Sequence, residues 1–258
     1  MFRFAQDCMG TTFVFQIEDE WSPAELEAIC KNAMEILDDA DLRFSLYKPD
    51  SEISKLNAND LSWDSASGVQ KTIREAAAVW KERTNSFFDS VSPSGVYDPS
   101  GLVKSWAAQN AAQYLEANGL RNFTLNAGGD IFLSEGLTSP LLFRVGLSNL
   151  TSIASEAAGS NLILDLAKTE FRAVATSGSA ERGEHIWRKQ DSSFVQATVV
   201  AKNLVLADIW ATALISGGDQ ALALFKERVS PADACAIAIS EDLSISSSAG
   251  FAALLATL

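Results

Sequence analysis

Residues 11–17 alternate apolar and polar positions in part, with Phe13, Phe15 and Ile17 on one side, as in a half-buried strand. The period then changes. Ser22-Pro23-Ala24-Glu25 is a capping box with proline at the first helical position. Behind it Leu26, Ile29, Ala33, Ile36, Leu37 and Ala40 recur at helical spacing, which predicts a helix to about Arg43. Pro49 breaks any continuous helix there, and residues 51–54 fit one short helical turn. Val69, Ile73, Ala76, Val79 and Trp80 give a second amphipathic helix over 69–83. Residues 87–93 read as irregular or extended. A tight segment at 96–105 leads into a helix to about Asn118, with Gly119 as its cap.

Beyond that point the two-residue period dominates. Strands are expected at 123–126, 143–147, 162–166, 171–175, 195–201, 235–239 and 244–248, with helices at 206–214 and 219–229. Helices cluster early and strands late. That order predicts an α+β fold with mixed, largely antiparallel sheet and flanking helices, rather than a doubly wound parallel sheet. The length of 258 residues fits one large domain over 1–258 or two intimately packed halves.

Composition narrows the function. Apolar residues make up 47% and charged residues 21%, as in an ordinary globular protein. A net charge of −13 argues against nucleic acid as a partner and means that an anionic ligand needs a cation to meet it. The three cysteines are sparse and show no CxxC, which fits free thiols in a reducing compartment. No 18-residue apolar run occurs, so the expectation is a cytoplasmic protein without membrane insertion.

A single histidine, His185, excludes a His-rich metal site. Walker A, G-x-G-x-x-G, H-E-x-x-H and G-x-S-x-G motifs are all missing. Ser45-Leu46-Tyr47-Lys48 matches S-x-x-K, but the companion motifs of that chemistry are missing. In the apolar stretch 206–214, Asp208 and Thr212 are four apart and therefore share one helix face. Both are oxygen ligands of the kind Mg²⁺ prefers. The plain alternative is a solvated or capping aspartate and a threonine bonded back to its own helix. Likewise Gly128-Gly129 reads as a strand-end turn, residues 98–101 as a turn ahead of a helix, and Lys104 as a first-turn lysine.

Taken together and in order, these elements resemble the ApbE family of FAD:protein FMN transferases. The resemblance rests on Met9-Gly10-Thr11, on Phe44-Ser45-Leu46-Tyr47 with the block 50–57, and on Phe87-Phe88-Asp89 with Pro93. It continues through residues 98–105, Asn126-Ala127-Gly128-Gly129-Asp130-Ile131, Ala175-Thr176-Ser177-Gly178 and Ala207-Asp208 with Ala211-Thr212-Ala213. The family's histidine stands at Glu184-His185-Ile186-Trp187, but residues 188–192 replace its usual D-P-x-T-G, and Ser105 replaces a glycine.

The resemblance implies an ApbE-like, T-fold-related domain. It implies Mg²⁺ held by Asp208, Thr212 and the Gly101 carbonyl. It implies FAD contacts at Met9, Tyr47, Phe87, Phe88, Asp89, Asp98 and Lys104, and His185 as the catalytic base. The implied reaction moves FMN from FAD to a Ser or Thr hydroxyl of an acceptor flavoprotein and releases AMP. The same site with water as acceptor would be an FAD pyrophosphatase, and a site without turnover would be an FAD-binding protein.

Overall fold

A computed structural model describes residues 1–147, 162–178 and 192–256. Its strands are β1 (Phe2–Cys8), β2 (Thr11–Ile17), β3 (Phe123–Ala127), β4 (Asp130–Leu133), β5 (Arg144–Leu147), β6 (Leu162–Asp165), β7 (Ala173–Gly178), β8 (Phe194–Ala201), β9 (Ala234–Ser240) and β10 (Ile245–Ser247). Its α-helices are α1 (Pro23–Phe44), α2 (Glu52–Asn57), α3 (Gly68–Arg83), α4 (Ser100–Ala117) and α5 (Leu204–Arg228). Short 3₁₀ turns lie at Trp63–Ser65 and Phe251–Leu254.

Eight strands form one sheet in the order β1-β2-β3-β4-β7-β8-β9-β10, and every neighbouring pair is antiparallel. β5 and β6 form a separate antiparallel pair. The α+β expectation with largely antiparallel sheet therefore holds. Two strands lie outside the sequence expectation: β1, which precedes the first expected strand, and β4, which comes directly after the Gly128-Gly129 turn. The expected strand at 171–175 is shifted to Ala173–Gly178.

Strand alternation divides the interior into two cores. On β9, Ala234, Ala236 and Ala238 join one cluster while Cys235, Ile237 and Ile239 join the other. β8 behaves alike, with Ala197, Val199 and Ala201 on one side and Val200 on the other. The alanine-rich face packs against α1, α4 and α5, and small side chains let those helices approach closely. The bulkier face packs against β5, β6 and the Phe251–Leu254 turn.

Local signals set the helix ends. Ser22 accepts from the Glu25 N–H at 3.3 Å while the Glu25 carboxylate accepts from the Ser22 N–H at 2.9 Å, so the capping box is formed. Asn203 caps α5 by accepting from the Leu206 N–H at 2.9 Å.

Gly218 lies at φ 53° and ψ −136°, where a side chain would be strained, and bends α5 sharply. Trp210 and Phe225 would lie ~22 Å apart along a straight helix. Their ring centroids are 5.2 Å apart, edge to face, so the two halves fold onto each other. The sequence expectation of two helices at 206–214 and 219–229 corresponds to these halves. Just before the bend, a Cβ on Gly217 would overlap Cδ1 of Phe87. Only a glycine lets that ring lie flat on the helix. Gly217→Ala should therefore cost about 1–3 kcal/mol of stability through overpacking. The check is urea unfolding; an unchanged midpoint would mean that the ring moves aside freely.

Candidate active site

Three buried or half-buried charges from three elements meet beside the helix pair α4 and α5. Asp208 lies on the first half of α5 and is 4% exposed. Lys104 extends from the second turn of α4, and its Nζ is 3.6 Å from Asp208 Oδ2. The same ammonium contacts Oδ2 of Asp130, the first residue of β4. Asp130 is aimed there by a two-residue hairpin turn. Gly128 and Gly129 take φ of 64° and 103°, conformations that this turn type requires at both positions. Ala127 pairs with Asp130 across it, and the Asn126 side chain accepts from the Gly129 N–H at 2.8 Å. Asp130 Oδ1 accepts from the Thr176 N–H on β7 at 3.1 Å. Asp130 is therefore fixed from both sides.

Asp208 is not satisfied in the same way. Its Oδ2 is buried and has no hydrogen bond. Burial pushes the Asp208 carboxyl above the usual carboxylate range; the Lys104 charge opposes this, the neighbouring Asp130 charge adds to it, and the polar side chains of Ser105 and Lys104 beside the carboxyl pull it part of the way back. One turn along, Thr212 Oγ1 lies 3.4 Å from the Ser177 hydroxyl at the end of β7. Asp208 and Thr212 thus sit on the face of α5 that meets α4, β4 and β7. Ser105 is fully buried; its hydroxyl donates to the Leu102 carbonyl at 3.2 Å and also lies beside the Asp208 carboxyl.

Gly101 opens α4 one turn before Lys104. A Cβ there would lie 3.3 Å from Cε2 of Phe88, so the position is tight on one side. Phe87 and Phe88 are both buried, wedged against Gly217 of α5 and Gly101 of α4 respectively. Asp98 accepts from the Ser100 N–H at 3.0 Å and so shapes the entry to α4. Asp89 pairs with Lys81 at 2.7 Å and accepts from the Val91 N–H at 3.0 Å. Met9 forms the β1–β2 turn with Gly10 and has φ 50°. Tyr47 is 87% exposed. These last two flank the same end of α1: Cys8, beside Met9, interacts with Asp38 and Asp41, and Lys48, beside Tyr47, pairs with Asp41 at 2.5 Å. Phe44 at that end meets Trp106 of α4 edge to face, at 6.3 Å between centroids.

His185 lies outside the described residues. The described flanks of its segment both meet α5. Ser177 reaches Thr212, and the Ser192 hydroxyl donates to the Ile215 carbonyl at 2.6 Å, next to the Gly218 bend.

Asp130, Ser177 and Ser192 were not among the sequence-based site residues. Asp130 had a visible signal in its Gly-Gly-Asp turn. Ser177 had one in the Ala175-Thr176-Ser177-Gly178 element, and Ser192 had none beyond its neighbours. Among the described residues no group of three His, Cys, Asp or Glu side chains could hold a metal. The expected donor set is of another kind, with one carboxylate, one hydroxyl and one carbonyl. It fits a hard cation through the buried, hydrogen-bond-free oxygen of Asp208.

Known structures share this architecture. The flavin transferase ApbE from Vibrio cholerae superposes with a TM-score of 0.75 at 18% identity, over 98% of this chain and 99% of that one. The ApbE protein from Thermotoga maritima gives 0.74 at 17% identity, over 99% of each chain. The apo form of the flavinyl transferase ApbE from Pseudomonas stutzeri gives 0.74 at 17%, over 98% and 97%. No curated protein matches the chain. The ApbE family profile matches residues 95–236, more than half of the 258 residues and the whole run from Gly101 through Lys104 and Asp130 to Asp208 and Thr212. By that match the chain belongs to the ApbE family.

Proposed function

We propose that this protein transfers FMN from FAD to a Ser or Thr hydroxyl of an acceptor flavoprotein and releases AMP, with Mg²⁺ in the site. The observation that carries the reading is the buried Asp208 oxygen without a hydrogen bond, set beside the Lys104 ammonium and one turn from Thr212. Leaving such an oxygen without a hydrogen bond is costly, and a cation relieves that cost. Asp208, Thr212 and the Gly101 carbonyl would hold the ion. When bound it would offset the charge on the diphosphate oxygens, typically the largest contribution to this class of transfer.

The remaining work falls to the chain's own groups. Lys104 presents an ammonium to a phosphate oxygen on the same side. Met9 and Tyr47, at the end of α1 next to α4, would contact the flavin or adenine ring, and the exposed Tyr47 offers a face for stacking. The acceptor hydroxyl oxygen attacks the FMN-side phosphorus, the bond from that phosphorus to the bridging oxygen breaks, and AMP leaves with that oxygen. The hydroxyl proton goes to His185, whose ordinary pKa of about 6.5 suits a base at neutral pH.

The direct test is mass spectrometry of a candidate acceptor incubated with this protein, FAD and Mg²⁺. The expected result is an FMN-phosphoryl mass on a Thr or Ser residue. FMN and AMP released without acceptor labelling would make the protein a pyrophosphatase. Asp208→Ala should abolish divalent-dependent labelling, and a chelator should silence the wild-type protein until Mg²⁺ is restored; metal-independent labelling by the variant would remove Asp208 from the ion's ligands. His185→Ala should slow labelling about 10²- to 10⁴-fold with FAD affinity nearly unchanged. An unimpaired rate in single-turnover assays would exclude His185 as the base.

A further inference from the structure

Lys104 stands between two buried carboxylates that are not equivalent. Asp130 Oδ2 is in contact with the ammonium, while Asp208 Oδ2 is 3.6 Å away and forms no hydrogen bond. Asp130 cannot follow the ammonium if it moves, because the Gly128-Gly129 turn and the Thr176 N–H fix it. Lys104 can move, since its charge rides on a flexible four-carbon stem. From 3.6 Å, less than about 1 Å of travel would bring it into hydrogen-bond contact with Asp208.

We propose that Asp130 is a positioning residue that holds the Lys104 ammonium off Asp208 and so keeps that oxygen open to a divalent cation. The inference rests on the metal site proposed above. An ammonium closed onto Asp208 would occupy the oxygen that the ion needs and would repel the ion as well. Held by Asp130, the same ammonium stays in reach of a bound diphosphate without neutralising the ligand. Asp130 is thus placed to act through Lys104, with no contact of its own to the cation.

Calorimetric titration of FAD-free protein with Mg²⁺ or Mn²⁺ reads this directly. Asp130→Asn keeps the shape and the acceptor for the Thr176 N–H but gives up the charge that holds the lysine. Divalent affinity should fall roughly 5- to 150-fold, the usual scale of coupling between sites. Asp130→Glu, which still offers a carboxylate to the ammonium, should retain most of the affinity. Adding Lys104→Met to Asp130→Asn should recover most of the loss, whereas Lys104→Met alone should change the affinity far less. That non-additivity is what a role through Lys104 requires.

Equal effects of Lys104→Met in both backgrounds would overturn the proposal, because Asp130 would then act by its own charge or by general structure. Wild-type affinity in Asp130→Asn would overturn it as well. The thermal midpoint in chelator, expected to be nearly unchanged in Asp130→Asn, separates loss of the site from loss of the fold. If that midpoint collapses, the comparison of Asp130→Glu with wild type decides, and weak binding by a folded Asp130→Glu counts against the proposal. Wild-type protein that takes up no divalent ion would sink the metal reading itself, a failure distinct from normal uptake that is indifferent to residue 130.

Discussion

A carboxylate on an alanine-rich helix packed into the interior is an unfavourable thing to bury. Taking such a group out of water costs several kcal/mol even after the surroundings relax. Asp208 is tolerated because Lys104 lies beside it, and Lys104 is itself placed by Asp130. The arrangement therefore depends on three residues far apart in sequence, on α4, β4 and α5, being held in register. None of them could be moved by a turn without stranding a buried charge.

The rest of the architecture serves that register. Alanines on β7, β8 and β9 let α5 lie close to the sheet, so its polar face is carried forward against α4 and the ends of β4 and β7. The two-glycine turn places Asp130 at the first position of its strand and leaves no slack in the backbone. The Gly217-Gly218 pair lets Phe87 pack flat on α5 and folds the helix back at the same point. The bend frees helical carbonyls, and the Ser192 hydroxyl takes up the one on Ile215. Fold and site therefore share residues, and the phenylalanines that the family resemblance connects with the flavin also act as wedges against α4 and α5, the helices of Lys104 and Asp208.

Local patterns made much of this legible from the sequence. The capping box at Ser22, the cap at Gly119, the stripe on α1, the stripe on α3 apart from the exposed Val79, and the alternation in β2, β8 and β9 each encode one element in a handful of neighbouring residues. β1 is an edge strand whose outward positions, Arg3, Ala5 and Asp7, interrupt the inward Phe2, Phe4 and Cys8, and Gln6 between them weakens the alternation further. β4 is four residues long and hides behind its turn. At the site, the Asp208–Thr212 face came from helical geometry alone. The approach of Lys104 to both Asp208 and Asp130 did not, because nothing in any short window records which strand end meets which helix. Ordered motifs supplied that through resemblance, and the folded chain supplied it through distances.

The charge balance at this centre bears on its chemistry. Asp130 and Asp208 oppose a single Lys104, so with both acids ionised the cluster is negative, and with Asp208 protonated it is at best neutral. The chain as a whole carries −13. In neither state does this trio of side chains by itself present the net positive charge that a diphosphate seeks. A divalent ion on Asp208, as proposed above, would reverse the sign locally, with the Lys104 ammonium beside it. Displacing the lysine onto Asp208 would leave one ammonium shared between two acids and nothing for the phosphates. The Asp208 oxygen that lacks a hydrogen bond is therefore the place where the proposed divalent ion would sit, beside the lysine that offsets part of its charge.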